Sequence, residues 1–247
     1  MKKLCVLLVL ASLSTSISAL DLSLSAGGGA LIGYTFTRYT LEGGTKDGGY
    51  LESSQNMDRI NYGGHLFFDA TYLAVSVLIQ GGSNSYSENM IREASALKDS
   101  VGTGTELSLG FSLMGKYPFR INERITLFPQ LGIEYQIALI QQRQPTGGLV
   151  YDRSKGELVE DRDKKDKPYP LYAWNAWWID VGAGLEYALS NSLFLRGEVL
   201  FGFRLPTEYE LGALEVVKSP PMNMRNPVLA GLTGSPVIKL AVGYRLR

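Results

Sequence analysis

The chain has 247 residues, of which 45% are hydrophobic and 19% are charged, and it contains 28 glycines and 14 tyrosines. This composition excludes a disordered polar chain and a helical membrane protein. Lysine plus arginine equals aspartate plus glutamate at 24 each, so no basic surplus is available to neutralise a phosphate backbone. Nucleic acid is therefore not an expected partner, and a soluble all-β domain or a membrane barrel remains open.

Residues 1–19 have the layout of a secretory signal peptide. Two lysines precede an apolar stretch from Leu4 to Leu13, and small residues follow up to Ala19. The apolar stretch is about half of the ~20 residues that a membrane-spanning helix needs. We expect cleavage after Ala19, which leaves a mature domain over residues 20–247 without cysteine, because Cys5 is the only one.

Long alternation of apolar and polar residues runs through the mature chain. It indicates strands with one apolar face. The eight segments that show it centre on residues 20–36, 59–69, 73–80, 106–119, 125–137, 177–187, 193–204 and 238–246. Strands of soluble sheets average ~5–6 residues, whereas tilted membrane strands need ~9–11. The length of the segments therefore indicates membrane strands.

The connections between these segments alternate in length. The tight turns lie at residues 69–72, 120–124 and 190–192, and the long polar connections lie at residues 37–58, 82–103, 140–176 and 206–234. Short turns at one end, long loops at the other and an even strand number are typical of outer-membrane barrels. We predict an all-β fold, an antiparallel transmembrane β-barrel of eight strands with short periplasmic turns and long extracellular loops. A hairpin around Ser154–Gly156 would raise the count to ten.

The turn at residues 190–192 predicts a register. If it closes a three-residue hairpin, Leu189 faces Leu193 and Glu186 faces Arg196. The two opposite charges would then meet on the inner face of the barrel.

These segments resemble the small eight-stranded bacterial outer-membrane barrels, the group of OmpW, OmpX and the OmpA membrane domain. The resemblance covers residues 20–247 and implies a bacterial outer-membrane location, surrounded by outer-membrane lipid. Residues 239–247 are similar to the C-terminal signal read by the barrel-assembly machinery, although they end in arginine rather than in an aromatic residue. Residues 117–119 and 128–135 are similar to spirochaetal outer-membrane proteins.

Eight strands enclose a lumen that side chains can fill or that can hold one small ligand. The predicted inner face carries six acids and six bases. They are Asp69, Glu106, Glu134, Asp180, Glu186 and Glu198, against Arg59, Lys116, Arg196, Arg204, Lys239 and Arg245. Buried charges are tolerated when they are paired with opposite charges. Equal numbers of acids and bases therefore predict a polar plug whose charged side chains pair with one another. The predicted lumen charge pairs are drawn from Glu186, Arg196, Glu198, Lys239, Glu134 and Lys116.

A second group of predicted inner residues is apolar. They are Leu31, Leu78, Trp178, Leu200 and Val237. They could line a pocket open to the outside, since OmpW-like barrels are associated with a hydrophobic lumen for small apolar solutes. The alternative is that they pack against one another, which is the default for inward side chains.

Glycines are frequent at the predicted inner positions, among them Gly27, Gly184 and Gly243. A narrow barrel needs tightly coiled strands and room for the large side chains of neighbouring strands, and glycine supplies both. Residues 27–29 lack the lysine and the helix that a phosphate-binding loop requires.

An enzymatic role is not expected. His65 is the only histidine, Gly63 and Phe67 flank it on its face, and no serine lies two positions away. A nucleophile and a base within hydrogen-bond reach are therefore not predicted. One histidine and no cysteine give no metal-ligand spacing, and no cofactor is expected.

Aromatic residues cluster near both ends of the predicted strands, as lipid headgroup interfaces favour. The outer group comprises Tyr34, Phe36, Trp174, Trp177, Trp178, Phe201 and Phe203, and the inner group comprises Phe68, Tyr117, Phe119 and Tyr187. We predict two aromatic girdles.

Taken together, the patterns favour a monomeric outer-membrane barrel without cofactor. Its exposed loops would serve a structural role or bind a host or other extracellular ligand. The alternative is an OmpW-like narrow channel or pocket for small hydrophobic molecules. A soluble lipocalin-like carrier has the same strand number, but strand length, loop asymmetry and aromatic girdles argue against it.

Overall fold

The structure, a computed structural model, describes the chain in six ranges. They are residues 23–45, 50–92, 95–152, 157–160, 171–207 and 224–246. The predicted signal peptide over residues 1–19 lies outside the described residues. Most of the described residues are in β-strands. Across these six ranges, no helix has the length and apolar character needed to cross a bilayer.

Eight antiparallel strands form a closed wall. They are β1 (Leu24–Thr45), β2 (Tyr50–Ala70), β3 (Leu73–Arg92), β4 (Ser95–Lys116), β5 (Ile125–Asp152), β6 (Ala176–Ala188), β7 (Leu193–Arg204) and β8 (Met224–Leu246). Each strand pairs with the next, and β8 pairs with β1, so the sheet closes on itself. The predicted eight-stranded antiparallel barrel is confirmed.

The smaller elements lie outside this ring. Phe119–Arg120 and Glu157–Glu160 each form a short strand that pairs with β5. The second of these makes the additional hairpin that the sequence suggested, but it does not enter the ring, so the strand count stays at eight. A 3-10 helix over Leu171–Trp174 precedes β6.

The strands are staggered round the ring. The row of paired residues that starts at Ala26 passes through Phe68, Val75, Leu113, Ile133, Ile179, Phe203 and Gly234 and returns to β1 at Phe36. The return point lies 36 − 26 = 10 residues further along β1. With ~3.3 Å per residue and ~4.8 Å between strands, this stagger gives a strand tilt of about 41°, as in outer-membrane barrels.

An apolar belt surrounds the barrel. It consists of the outward-facing side chains of residues 24–36, 60–68, 73–81, 107–115, 125–139, 177–187, 193–203 and 234–246, and none of them is charged. Leu66 is 69% exposed and Leu240 is 63% exposed, a degree of exposure that suits lipid rather than water. The stretch from Leu24 to Phe36 spans about 30 Å at this tilt, the thickness of a bilayer's hydrocarbon core.

Beyond the belt the wall continues as a crown, formed by the described parts of residues 38–58, 83–105, 140–152 and 224–232. The prediction of long loops at residues 37–58 and 82–103 is therefore wrong, because most of both segments is paired strand. Outside the membrane the outward face of a strand meets water, so the apolar alternation ends while the backbone pairing continues. Because β6 begins at Ala176 and β7 ends at Arg204, these two strands add little to the crown.

At one end of the barrel the strands are joined by short turns, as the sequence predicted. Only Thr71 and Tyr72 separate β2 from β3, and Thr71 has a φ of 40°. Its hydroxyl accepts a hydrogen bond of 2.8 Å from the backbone N–H of Ser23. At the hairpin of β6 and β7, on the same end, Glu186 faces Arg196, so the predicted register is confirmed.

Candidate functional site in the lumen

Side chains from all parts of the ring fill the lumen. Because successive residues of a strand alternate between its faces, the twelve predicted inner charges all stand on the lumen side. Asp69, Arg196 and Lys239 are buried, with 1%, 3% and 4% of their surfaces exposed. Charges this deeply buried are tolerated only with partners.

Arg196 occupies the centre of a cluster near the short-turn end, here called the hub. The cluster comprises Asp69, Lys116, Glu186, Arg196, Glu198, Arg245, Phe67, Phe128 and Phe194. The guanidinium of Arg196 donates hydrogen bonds to the carboxylates of Asp69 and Glu186. Its Nη1 also lies 3.8 Å from Glu198 Oε1. One cation therefore bridges carboxylates on three different parts of the wall.

Two further bases complete the charge balance of the hub. Lys116 Nζ lies 2.5 Å from Asp69 Oδ2 and 3.6 Å from Glu186 Oε1. Arg245 Nη2 lies 3.8 Å from Glu186 Oε2. Three bases thus stand against three acids. Asp69 was not among the residues predicted to form charge pairs, although it is the carboxylate that Arg196 and Lys116 share.

Three phenylalanine rings surround the same guanidinium. Arg196 Cζ lies 4.1 Å from the centroid of Phe67 and 5.4 Å from those of Phe128 and Phe194. Aromatic faces attract a cation, most strongly where water is excluded. Phe128 lies over Gly184, where a Cβ atom would come within 2.3 Å of the ring. The expectation that inward glycines make room for large neighbours is confirmed at this position.

A second polar layer lies nearer the crown. Arg59 forms an ion pair with Glu106 and lies 3.3 Å from the hydroxyl oxygen of Thr35. Asn61 donates a hydrogen bond of 2.7 Å to the same hydroxyl, which in turn donates one of 2.9 Å to Ser235. Side chains from β1, β2, β4 and β8 are thereby linked across the lumen.

Lys239 on β8 faces Glu198 of the hub in register on β7. Glu134 accepts a hydrogen bond of 2.7 Å from Gln136. Contacts such as that of Arg196 with Asp69 join strands that are not neighbours. Alternation alone cannot reveal them, because they depend on the stagger of the whole ring.

A cavity lies between the hub and the second layer. Its volume is about 20 Å³, and its apolar lining consists of Leu31, Leu78, Trp178, Leu200 and Val237. Eight polar or charged side chains, among them Glu134, Asp180 and Lys239, complete the lining. A cavity that binds benzene measures ~150 Å³. The structure thus brings the five predicted apolar residues together, around a space that suits water rather than an apolar solute.

Trp178 corrects the predicted outer girdle. It points into the lumen with 3% of its surface exposed, because on one strand it must face opposite to Trp177. Trp177 faces outward and packs against Tyr135, with 4.6 Å between the ring centroids.

His65 is buried in the lumen beside Phe67, with 6.2 Å between the ring centroids. Within the described ranges, no group of three or more histidine, cysteine, aspartate or glutamate side chains is placed to hold a metal ion.

The closed ring of eight strands, its stagger of ten and the charge-free belt define a bacterial outer-membrane β-barrel protein. Charged side chains lie inside the barrel and leucines lie outside, the reverse of their distribution in a soluble protein, and this agrees with the class.

The chain is similar to several solved outer-membrane proteins. The chain is similar to Neisserial surface protein A (NspA), with 11% identity over 89% of this chain and 99% of that one and a TM-score of 0.34. It is similar to the outer membrane protein OprG from Pseudomonas aeruginosa, with 11% identity, coverage of 92% and 96%, and a TM-score of 0.39. For the N-terminal β-barrel domain of Pseudomonas aeruginosa OprF the identity is 11%, the coverage 89% and 99%, and the TM-score 0.29. No family model and no curated protein matches the chain.

Proposed function

We propose that this protein is a closed, non-conducting outer-membrane barrel that acts through its crown, in a structural or adhesive role at the cell surface. The observation that carries the proposal is the hub, where Arg196 bridges Asp69 and Glu186 across the lumen. A selectivity filter would present one sign of charge to a permeating ion. Three acids against three bases, packed among phenylalanine rings, instead suit a plug.

The crown supplies the surface for such a role. Its paired strands hold their outward side chains in fixed positions beyond the belt, and many of these side chains carry hydroxyl groups. The exposed ones on β3 and β4 include Ser83, Ser85, Thr103 and Thr105. With the short turns in the periplasm, as in other outer-membrane barrels, this surface faces the exterior, where a host or other extracellular ligand would meet it.

The cavity volume argues against the alternative of a pocket for small hydrophobic molecules. About 20 Å³ is too little for such a solute. Glu134, Asp180 and Lys239 in the lining would also have to lose their polar neighbours to accommodate it.

Conductance of the refolded protein in planar bilayers tests the proposal. We expect the unaltered protein to insert without discrete channel openings. The double variant Glu186→Ala with Arg196→Ala removes the centre of the hub and leaves space along the lumen, so we expect small discrete conductance steps.

The matched control removes an ion pair outside the lumen. Arg38 and Asp58 lie 2.7 Å apart on the outward face at the edge of the crown, and the variant Arg38→Ala with Asp58→Ala is expected to stay silent. Openings of the unaltered protein that a small apolar solute blocks would overturn the proposal in favour of a channel.

A further inference from the structure

The junction of the first and last strands has an unusual inner surface. β1 and β8 pair to close the ring, and at the level of the hub their inner positions are glycines, with Gly27 facing Gly243. Phe67 on β2 faces Gly27, and Phe194 on β7 faces Gly243. One row, here called the seam row, therefore runs from Phe194 through Gly243 and Gly27 to Phe67 across four strands.

The two rings of the seam row lie on top of the two glycines. A Cβ atom at Gly243 would come within 2.2 Å of the Phe194 ring, and one at Gly27 within 2.6 Å of the Phe67 ring. The ring centroids are 6.3 Å apart. Phe194 is fully buried, and Phe67 is 5% exposed. Side chains from the strands that flank the junction thus meet above it and cover it from inside.

A charged bridge follows the same path. Arg196 and Asp69 each lie two residues from a ring of the seam row, on the same inner faces of β7 and β2. The Arg196 guanidinium lies 4.1 Å from the Phe67 centroid and donates a hydrogen bond to Asp69. This contact joins β7 to β2 with β8 and β1 lying between them.

We propose that Phe67, Asp69, Phe194 and Arg196 form an internal strap that holds the junction of β1 and β8 closed. β1 and β8 lie between the strands that carry Asp69 and Arg196, so the contact of these two residues spans the junction where the two ends of the chain meet. Separation of β1 from β8 breaks the contact of Phe67 with Phe194 and the contact of Asp69 with Arg196 together. The strap acts as a latch for the last step of barrel closure and raises the resistance of this one junction to opening.

Phe128 provides a matched comparison for Phe194. Both rings are fully buried, both lie 5.4 Å from Arg196, and both cover a glycine of a neighbouring strand. Phe128 covers Gly184, within the continuous wall between β5 and β6. The two phenylalanines therefore differ in the junction that they cover.

Hydrogen–deuterium exchange of the full mature protein in phospholipid vesicles tests the strap. In Phe194→Leu we expect the amides that pair β1 with β8 to exchange about tenfold faster than in the unaltered protein. In Phe128→Leu we expect the acceleration between β5 and β6 instead, with the junction of β1 and β8 unchanged. Equal acceleration of that junction in both variants, or none in Phe194→Leu, would overturn the proposal.

A second variant, which changes a charge, tests the strap without altering Phe194. Asp69→Asn preserves side-chain size and removes the charge that Arg196 contacts, so exchange at the junction of β1 and β8 should again rise. Glu134→Gln, which alters a carboxylate on β5 that accepts a hydrogen bond from Gln136 of the same strand, should leave that junction unaffected. If Phe194→Leu does not fold, this pair decides, and equal exchange in the two charge variants counts against the strap. Conductance does not enter this readout, so the strap and the proposed plug can fail separately.

Discussion

Arg196 is stabilised by two kinds of contact at once. Burial of an unpaired charge costs several kcal/mol, and Asp69 and Glu186 offset this cost with hydrogen bonds to the guanidinium. The ring of Phe67 adds a cation–π contact at this buried site. These contacts need an unobstructed wall beneath the rings, and glycines on the neighbouring strands provide it.

Gly184→Ala tests this need for space. The new Cβ would lie within 2.3 Å of the Phe128 ring, so the ring must move, and we expect a loss of about 1–3 kcal/mol in the free energy of unfolding. Urea titration of the protein in vesicles measures it. Adding Phe128→Leu should restore part of the loss.

Gly197→Ala is the control for this prediction. It lies on the outward face, where a Cβ would meet its nearest neighbour, Leu240 Cδ2, at an ordinary 3.6 Å. Equal losses in the two alanine variants would show that backbone entropy rather than ring packing governs these positions.

At the scale of the strands, the sequence predicts the segments that cross the bilayer, because lipid requires apolar side chains on their outward faces. Alternation located all eight strands where they cross the belt, and turn geometry predicted the pairing of Glu186 with Arg196. The crown could not be predicted in this way, because its strands meet water on their outward faces and lose the apolar period. The alternation of residues along a strand predicted that Leu31 and Trp178 face the lumen, but it could not predict the small volume of the cavity that they line. Cavity size and the contact of Asp69 with Arg196 depend on the stagger of ten, which no single strand encodes.

Shortening the crown tests whether the membrane part is independent of it. We would remove residues 40–54 and join Tyr39 to Gln55, which face each other on β1 and β2, through an Asn-Gly turn. Because the belt and the hub lie below this cut, we expect insertion and heat-modifiable electrophoretic migration to be retained.

The control removes a single residue from the belt. Deletion of Leu31 from β1 shifts the adjoining part of this strand by one position and turns its lipid-facing side chains toward the lumen. This variant should not reach the heat-modifiable form. Loss of that form in the crown variant as well would refute the independence of the two parts.

As a whole, the molecule places different side chains on its outward belt, which faces lipid, and on the wall of its lumen. Its outward belt carries no charge within the described residues, while twelve acids and bases face the lumen. The bilayer replaces the core of a soluble protein as the place where apolar side chains are sheltered, and the lumen takes the charges. Neighbouring residues of one strand, such as Lys239 and Leu240, therefore obey opposite rules.

Leu240→Arg tests the belt. Leu240 faces lipid, and an arginine there should lower the free energy of unfolding in phosphatidylcholine vesicles by about 2–4 kcal/mol, measured as the folded fraction across a urea series. Thr40→Arg, outward but in the crown, should have little effect. A similar loss in both variants would argue that the belt does not lie in the bilayer.

The even stagger of the ring has an evolutionary consequence. A row of pairs that leaves an outward residue, Ala26, returns to an outward residue, Phe36, because ten is a multiple of the two-residue repeat of a strand. A single inserted residue would break this parity and turn one strand's lipid face inward. A bulge can absorb it, as where the register of β4 and β5 shifts and Leu139 and Ile140 both face outward. In related genes, length changes within the wall should therefore come in twos or with bulges, whereas crown tips can change one residue at a time.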